Sequence, residues 1–167
     1  MNTQFDVKVT VKDLFVFLLN NTYRKFSGIL ILLFSIACVV IVICTWGDVK
    51  LSNSILLLVL AAFYLVFNPI ILYGKARRQV ENNDYFKNSL TYYADNTGIT
   101  VSFGEEKSST NWNEMWKAVK YGSIVVIYVT TIRAFILPIS CIGDKYNDFV
   151  DLASGGLGAR CRLRKKK

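Results

Sequence analysis

Two long apolar segments joined by a short polar connector constrain the fold of this chain more than any other feature. The first runs over 26–47 and the second over 51–74, and neither contains an Asp, Glu, Lys or Arg. Each exceeds the roughly 20 residues that an α-helix needs to cross a hydrocarbon core of about 30 Å. Because a backbone in lipid must satisfy its own hydrogen bonds, this pattern predicts a transmembrane hairpin of two helices over 26–74.

Charged residues around the hairpin predict its orientation. The connector 47–50 carries one Asp and one Lys. The basic residues at the outer ends of the hairpin are Arg24, Lys25, Lys75, Arg77 and Arg78. Basic residues near span ends favour the cytoplasm, so we expect both termini of this multi-pass protein on the cytoplasmic side.

A polar residue and a proline interrupt the second segment, at Asn68 and Pro69. Pro69 cannot donate the hydrogen bond that the carbonyl of Leu65 would accept in a regular helix, so we expect a kink in the span. A site for a substrate or an ion is the alternative interpretation. Neither span contains the ionisable residues that mark transport pathways, which favours a bend without a transport role.

The chain before the hairpin, 1–25, predicts a strand and a juxtamembrane helix. Residues 5–11 alternate between apolar and polar side chains, which is typical of a half-buried strand. We expect this strand to pair with strands of the C-terminal domain. Thr10 and Asp13 indicate a helix start. The apolar run 14–19 fits either a helix at the membrane surface or a buried helix packed on the soluble domain.

The chain after the hairpin predicts a helical stalk over 75–88 and a small antiparallel domain over 89–154. Alternation over 90–103 predicts a β-hairpin in which Gly98 provides a positive φ at the turn. Further strands are expected over 124–128 and 131–137, and a helix is expected over 144–152. That helix is predicted to end at 154–156, before a flexible basic tail over 155–167.

The order of these elements resembles the YcxB-like membrane proteins of bacteria. The motifs that carry the resemblance are Thr97-Gly98-Ile99, Trp112-Asn113-Glu114-Met115 and Ala134-Phe135-Ile136-Leu137-Pro138. The resemblance implies that the C-terminal domain is similar to a trimmed bacterial pleckstrin-homology-like (PH-like) fold with a closing helix. The expected fold is therefore an α+β membrane protein of the bacterial inner membrane, with a transmembrane hairpin and a PH-like domain.

The positive charge of the chain is concentrated at its C-terminus. The formal net charge is +8. The basic residues of the tail are Arg160, Arg162, Arg164, Lys165, Lys166 and Lys167. They are candidate contacts to anionic lipid; a disordered, solubilising end is the alternative. No aromatic residue is interleaved with them, so we expect no nucleic-acid partner.

The chemistry available to the chain is limited, because it contains no histidine. That excludes Ser-His-Asp and Cys-His catalytic arrangements, and we expect neither an enzyme nor a cofactor. Cys38 and Cys44 lie inside the first span, far from the other two cysteines, so neither a disulfide framework nor a zinc site is expected.

These features predict a membrane-anchored, non-enzymatic interaction module at the cytoplasmic face, which binds a protein partner and contacts anionic lipid through its tail. The alternative is an immunity or stress-protection protein against membrane-active peptides. The rings of Trp112, Trp116 and Phe135 are expected either in the core or at its edge.

Overall fold

The computed structural model describes residues 2–130 and 133–165. The chain divides into two compact units, one formed by Met1–Phe17 with Arg77–Lys167 and the other by Leu18–Ala76. All of the described strands belong to the first unit, which we call the β unit. The second, the hairpin unit, is helical. The predicted mixed α+β class is confirmed.

Four antiparallel strands form the first sheet of the β unit, in the order β1-β2-β3-β4. The strands are β1 (Thr3–Val7), β2 (Leu90–Ala94), β3 (Gly98–Phe103) and β4 (Glu106–Asn111). β1 pairs with β2 in a register that places Phe5 opposite Tyr92. The N-terminal strand therefore joins the later sheet as expected, although it spans Thr3–Val7 and not 5–11.

The second sheet contains three antiparallel strands and one short parallel strand, in the order β7-β6-β5-β8. The strands are β5 (Lys117–Tyr121), β6 (Ile124–Tyr128), β7 (Ala134–Pro138) and β8 (Cys161–Arg162). β6 is buried along its whole length, as a central strand should be, and the predicted strand 124–128 is confirmed. Positions 131 and 132 of the other predicted strand lie outside the described residues.

A reciprocal cap begins the first helix, α1 (Val11–Tyr23). The Asp13 carboxylate accepts hydrogen bonds from the amide and hydroxyl of Thr10, at 3.0 and 2.6 Å. In return the Asp13 amide donates to the Thr10 hydroxyl at 3.3 Å. This capping box confirms the predicted helix start. It also explains why the extended chain ends before residue 11.

The hairpin unit is built from apolar helices. They are α2 (Phe26–Cys44), α3 (Leu51–Ala62), a π-helical turn (Phe63–Phe67) and α4 (Asn68–Asn82), which continues into the β unit. α2, and the helical run from Leu51 to Asn82, are long and apolar enough to cross a membrane.

Small side chains pack the hairpin unit, whereas most of its large apolar side chains face outward. The buried positions of α2 and α3 are Gly28, Ser35, Cys38, Val42, Ser54 and Ala61. Large apolar side chains such as Phe34 and Leu56 are exposed. A helix surface that is apolar on all sides fits an apolar environment around it, as in a membrane span.

The remaining helices follow the hairpin and the second sheet. They are α5 (Asp84–Lys87), α6 (Ile139–Ile142) and α7 (Tyr146–Leu157). The predicted stalk is thus divided at Asn83, whose side-chain oxygen accepts the Tyr85 amide at 3.0 Å and caps α5. α7 continues past its predicted end. It stops before Gly158, whose φ of 55° is typical of a glycine that ends a helix.

Aromatic rings from four elements meet in the core of the β unit. Phe5 stacks on Tyr92 at 6.0 Å and meets Phe149 of α7 edge-on at 5.6 Å. Tyr92 also meets Phe135 of β7 edge-on at 6.0 Å. Burial raises the pKa of Tyr92 to about 12. The core therefore requires β1, even though β1 is remote in sequence from the other three elements.

Candidate functional site

Trp116 is an exposed aromatic residue immediately before β5. Its exposed fraction is 51%, whereas that of Met115 is 0% and that of Trp112 is 2%. Of the three rings expected in the core or at its edge, Trp112 lies in the core, Phe135 is half-buried and Trp116 lies at the edge. Successive residues of an extended chain point to opposite faces, so the burial of Met115 directs Trp116 outward.

Contacts with β6 and with a neighbouring cation hold the Trp116 ring. The amide of Trp116 donates to the Tyr128 carbonyl at 2.7 Å, and the two rings meet edge-on at 6.3 Å. The Nζ of Lys117 lies 4.2 Å from the centroid of the Trp116 ring and 5.0 Å from that of Tyr128. Such cation–π contacts fix both the ring and the ammonium group near one another.

Arg160 brings a second cation to the same edge of the sheet. Its guanidinium donates to the carbonyls of Met115 at 2.7 Å and Leu157 at 3.4 Å. These bonds tie the turn after α7 to the residue that precedes Trp116. We call Trp116, Lys117 and Arg160 the cation–aromatic patch.

The predicted flexible tail is wrong for the part of 155–167 that the structure describes. Residues up to Leu157 complete α7, and β8 pairs with β5 through Ala118 opposite Cys161. Leu163 is buried, and the Tyr146 hydroxyl donates to the Arg164 carbonyl at 3.1 Å. Backbone pairing and one buried leucine therefore order a segment whose composition alone indicates disorder.

This ordering changes which basic side chains of the tail are available to a ligand. Arg160 donates to two carbonyls and keeps further N–H donors, whereas Lys165 forms an ion pair of 2.8 Å with Asp151. The side chains of Arg162 and Arg164 are exposed. The remaining candidates, Lys166 and Lys167, lie outside the described residues.

A polar groove lies on the β unit, between the β2–β3 turn, the turn after β4, and α7. It consists of two adjoining cavities of about 350 and 470 Å³ that share Asn96, Gly155 and Gly156. The side chains that give the groove its polar character are Asn96, Asn111, Asn113, Glu114 and Asp151.

Trp112 forms the base of the polar groove. Its indole nitrogen donates to the Asp95 carbonyl at 2.8 Å. Its ring packs against Gly156, where an added Cβ would collide with the ring. Both glycines that were expected to end α7 therefore lie inside the helix, and Gly156 is required for packing and not for termination.

Hydrogen bonds to a carboxylate stabilise the β2–β3 turn beside the groove. The Asp95 side chain accepts from the hydroxyl of Thr97 at 2.6 Å, from its amide at 2.7 Å, and from the Gly98 amide at 3.0 Å. These hydrogen bonds lower the pKa of Asp95, and the bond from the Thr97 hydroxyl has the largest effect. The positive φ expected at Gly98 is absent. A Cβ there would instead collide with the Thr110 carbonyl, so glycine permits close approach of the strands.

The candidate span kink coincides with a change of helix type. The π-helical turn Phe63–Phe67 ends at Asn68, whose amide donates to the Phe63 carbonyl five residues earlier. The next residue, Pro69, has no amide hydrogen to donate. The π-helical turn shifts the backbone hydrogen bonds from i→i−4 to i→i−5 just before Pro69. This is the place where a regular helix would lose the hydrogen bond that proline cannot donate.

Glu105 and Glu106, two adjacent acidic residues at the β3–β4 turn, are exposed. Among residues 2–130 and 133–165, the side chains of His, Cys, Asp and Glu form no group of three that could hold a metal ion.

Comparison of the chain with protein-family models, with curated proteins and with solved structures finds no match. The resemblance to YcxB-like proteins therefore stays a prediction, and the assignment of a function depends on the geometry described above.

Two neighbouring glycines of α7 provide a matched test of the groove. We expect Gly156→Ala to destabilise the full chain by about 1–3 kcal/mol, because the new methyl group collides with Trp112. Gly155→Ala enters open space and should stabilise the helix by up to about 1 kcal/mol. Chemical unfolding in detergent micelles, followed by tryptophan fluorescence, measures both. Equal stability of the two variants would contradict the packing of Trp112 on α7.

Proposed function

We propose that this chain is a two-span protein of the bacterial inner membrane whose β unit is a non-enzymatic interaction module at the cytoplasmic face. In this proposal the β unit binds a protein partner, and the basic C-terminal segment contacts anionic lipid. The observation that carries the proposal is the pairing of β1 with β2, two strands that the whole apolar hairpin separates in the sequence.

That pairing limits how the chain can cross a bilayer. Val7 and Leu90 are register partners, and both apolar helical segments lie between them in the sequence. An odd number of crossings would leave β1 and β2 on opposite sides of the membrane, where they could not pair. Two crossings return the chain to the side on which it started. The sheet therefore supports a hairpin with both termini on one side.

The cytoplasmic side is favoured by charge. Arg24 and Lys25 precede α2, and Arg77 and Arg78 lie within α4, near the end of the second apolar segment. The connector offers Lys50 as its single basic residue. Since positive residues near the spans remain in the cytoplasm, the β unit belongs there in this proposal.

The order of the strands supports the PH-like assignment. β1 to β4 follow one another as antiparallel neighbours, β5 to β7 do the same, and α7 follows β7. PH-like domains often bind phospholipid headgroups through a basic hairpin loop of their first sheet. The β2–β3 turn is such a loop, but it contains Asp95, whose carboxylate is occupied by the turn itself. That turn is therefore better suited to a protein partner than to a headgroup.

The polar groove is the surface that we assign to the protein partner. Asn113 and Glu114 are exposed at its rim, and Trp112 fixes its base. Exposed amide and carboxylate groups on a fixed turn can form oriented hydrogen bonds to a polypeptide. Because the turn is already ordered, the groove itself loses little conformational entropy on binding.

The C-terminal segment is the surface that we assign to lipid. Arg162 lies in β8 and Arg164 follows that strand, and both side chains are exposed, so the positions of these residues are restricted before lipid binds. Each basic residue near an anionic surface contributes about 1 kcal/mol, and attachment of the domain to the membrane makes such weak contacts effective.

Reporter fusions test the membrane topology. Fusions at Val49 and at the C-terminus should report opposite sides of the inner membrane, with the C-terminus in the cytoplasm, because two crossings separate the connector from the β unit. The protein should also remain in the membrane fraction after alkaline extraction. A cytoplasmic signal at Val49, or release by alkali, would contradict the proposal.

Site-specific photo-crosslinking in intact cells tests the protein partner. A crosslinking residue at Asn113 should yield an adduct that is absent when the same residue replaces Lys107, because Asn113 lies in the groove and Lys107 lies on the exposed strand β4. Identical adducts from both positions, or none from Asn113, would remove the groove from the proposal.

A further inference from the structure

We infer that the cation–aromatic patch contacts the membrane surface, with the Trp116 ring in the headgroup region and Lys117 and Arg160 at anionic phosphates. Because it needs a bilayer, this inference rests on the proposed function. It adds a specific anchor on the β unit to the transmembrane hairpin and to the tail contacts.

Trp116 is both exposed and held in a fixed position. A single exposed apolar side chain is common on soluble proteins and needs no explanation. Trp116 differs because its backbone bond to Tyr128 and the neighbouring Lys117 hold the ring at the surface. Tryptophan is enriched at membrane–water interfaces, where its apolar ring and its polar N–H are both satisfied.

Two positively charged side chains lie around the Trp116 ring. Lys117 places an ammonium group 4.2 Å from the Trp116 centroid. A guanidinium has five N–H donors, and the two carbonyl bonds of Arg160 leave donors for a phosphate oxygen. Positive groups beside an interfacial aromatic ring complement the negative surface potential of the cytoplasmic leaflet.

A short length of chain connects the first apolar helix to a residue that packs beside the patch. The Tyr128 ring, which meets Trp116, also lies 6.3 Å from the ring of Phe17. Phe17 precedes Phe26, the first residue of α2, by nine residues. Nine residues span at most about 30 Å even when fully extended. If α2 enters a bilayer, the chain therefore holds Phe17 within about 30 Å of the residue at which it enters.

The three tryptophans of the chain make a direct test possible, because each reports a different environment. The full chain is reconstituted in vesicles that contain anionic lipid, and lipids brominated near the headgroup serve as short-range fluorescence quenchers. In the Trp46→Phe protein, we expect brominated lipid to quench part of the emission. The additional change Trp116→Phe should abolish that quenching and leave the emission of buried Trp112. Unquenched emission of the Trp46→Phe protein would overturn the inference.

The same experiment separates failure of the inference from failure of the proposed function. In the Trp116→Phe protein, quenching of Trp46 reports that the hairpin is in the bilayer. Quenching of Trp46 without quenching of Trp116 therefore overturns the membrane contact of the patch alone. The same result is expected if the patch binds a protein in the cell and not the membrane. Absence of both overturns the two proposals together.

A charge variant tests the role of the cations. In the Trp46→Phe background, Lys117→Gln should reduce the equilibrium constant for membrane contact of the patch about fivefold, and thus reduce the quenching of Trp116. Lys107→Gln removes the same charge from β4 and should leave the quenching unchanged. An equal effect of the two substitutions would show that net charge alone attracts the domain, and would overturn the patch as a specific contact.

Discussion

The backbone hydrogen bonds between β1 and β2 join two parts of the sequence that the apolar helices separate. β1 contributes Phe5 to the aromatic core, where it contacts both Tyr92 and Phe149. Without β1, the apolar face of β2 and the buried face of α7 would lose the ring between them. The β unit therefore depends on a contact that can form only after the whole hairpin has been synthesised. Such long-range pairing is expected to form late in folding.

The same pairing bears on the proposed role of the hairpin as an anchor. If the two apolar helices cross a membrane, the pairing of Val7 with Leu90 requires that they return the chain to the side where β1 lies. The hairpin packs through small side chains and places large apolar ones outward. The groove and the cation–aromatic patch both lie on the β unit. Binding by the β unit, with the hairpin as its support, is consistent with this division.

Several elements could be predicted because a local signal specifies each of them. Alternation identified β1, reciprocal capping by Thr10 and Asp13 identified the start of α1, and uninterrupted apolar sequence identified the helices of the hairpin. The end of α7 was predicted too early, because a glycine that permits packing looks the same in sequence as one that ends a helix. Gly156 avoids a collision with Trp112, whereas Gly158 adopts a positive φ of 55°.

The surfaces were harder to predict, because they depend on contacts between distant residues. The order of the C-terminal segment comes from the pairing of Cys161 with Ala118 and from one buried residue, Leu163. Neither contact can be recognised from the sequence of the tail, in which basic residues predominate. Alternation of side chains in an extended chain places Met115 and Trp116 on opposite faces, but which of the two faces the core depends on contacts with distant residues.

Disulfide formation between β1 and β2 in native membranes tests the central claim most directly. Gln4 and Tyr93 are register partners with exposed side chains, so cysteines at both positions should link under mild oxidation once the native cysteines are replaced. Cysteines at Gln4 and Lys107 are the control, because β1 and β4 are not neighbours in the sheet. The account predicts efficient linkage of 4 to 93 and little linkage of 4 to 107. Equal yields of the two pairs would contradict the pairing of β1 with β2.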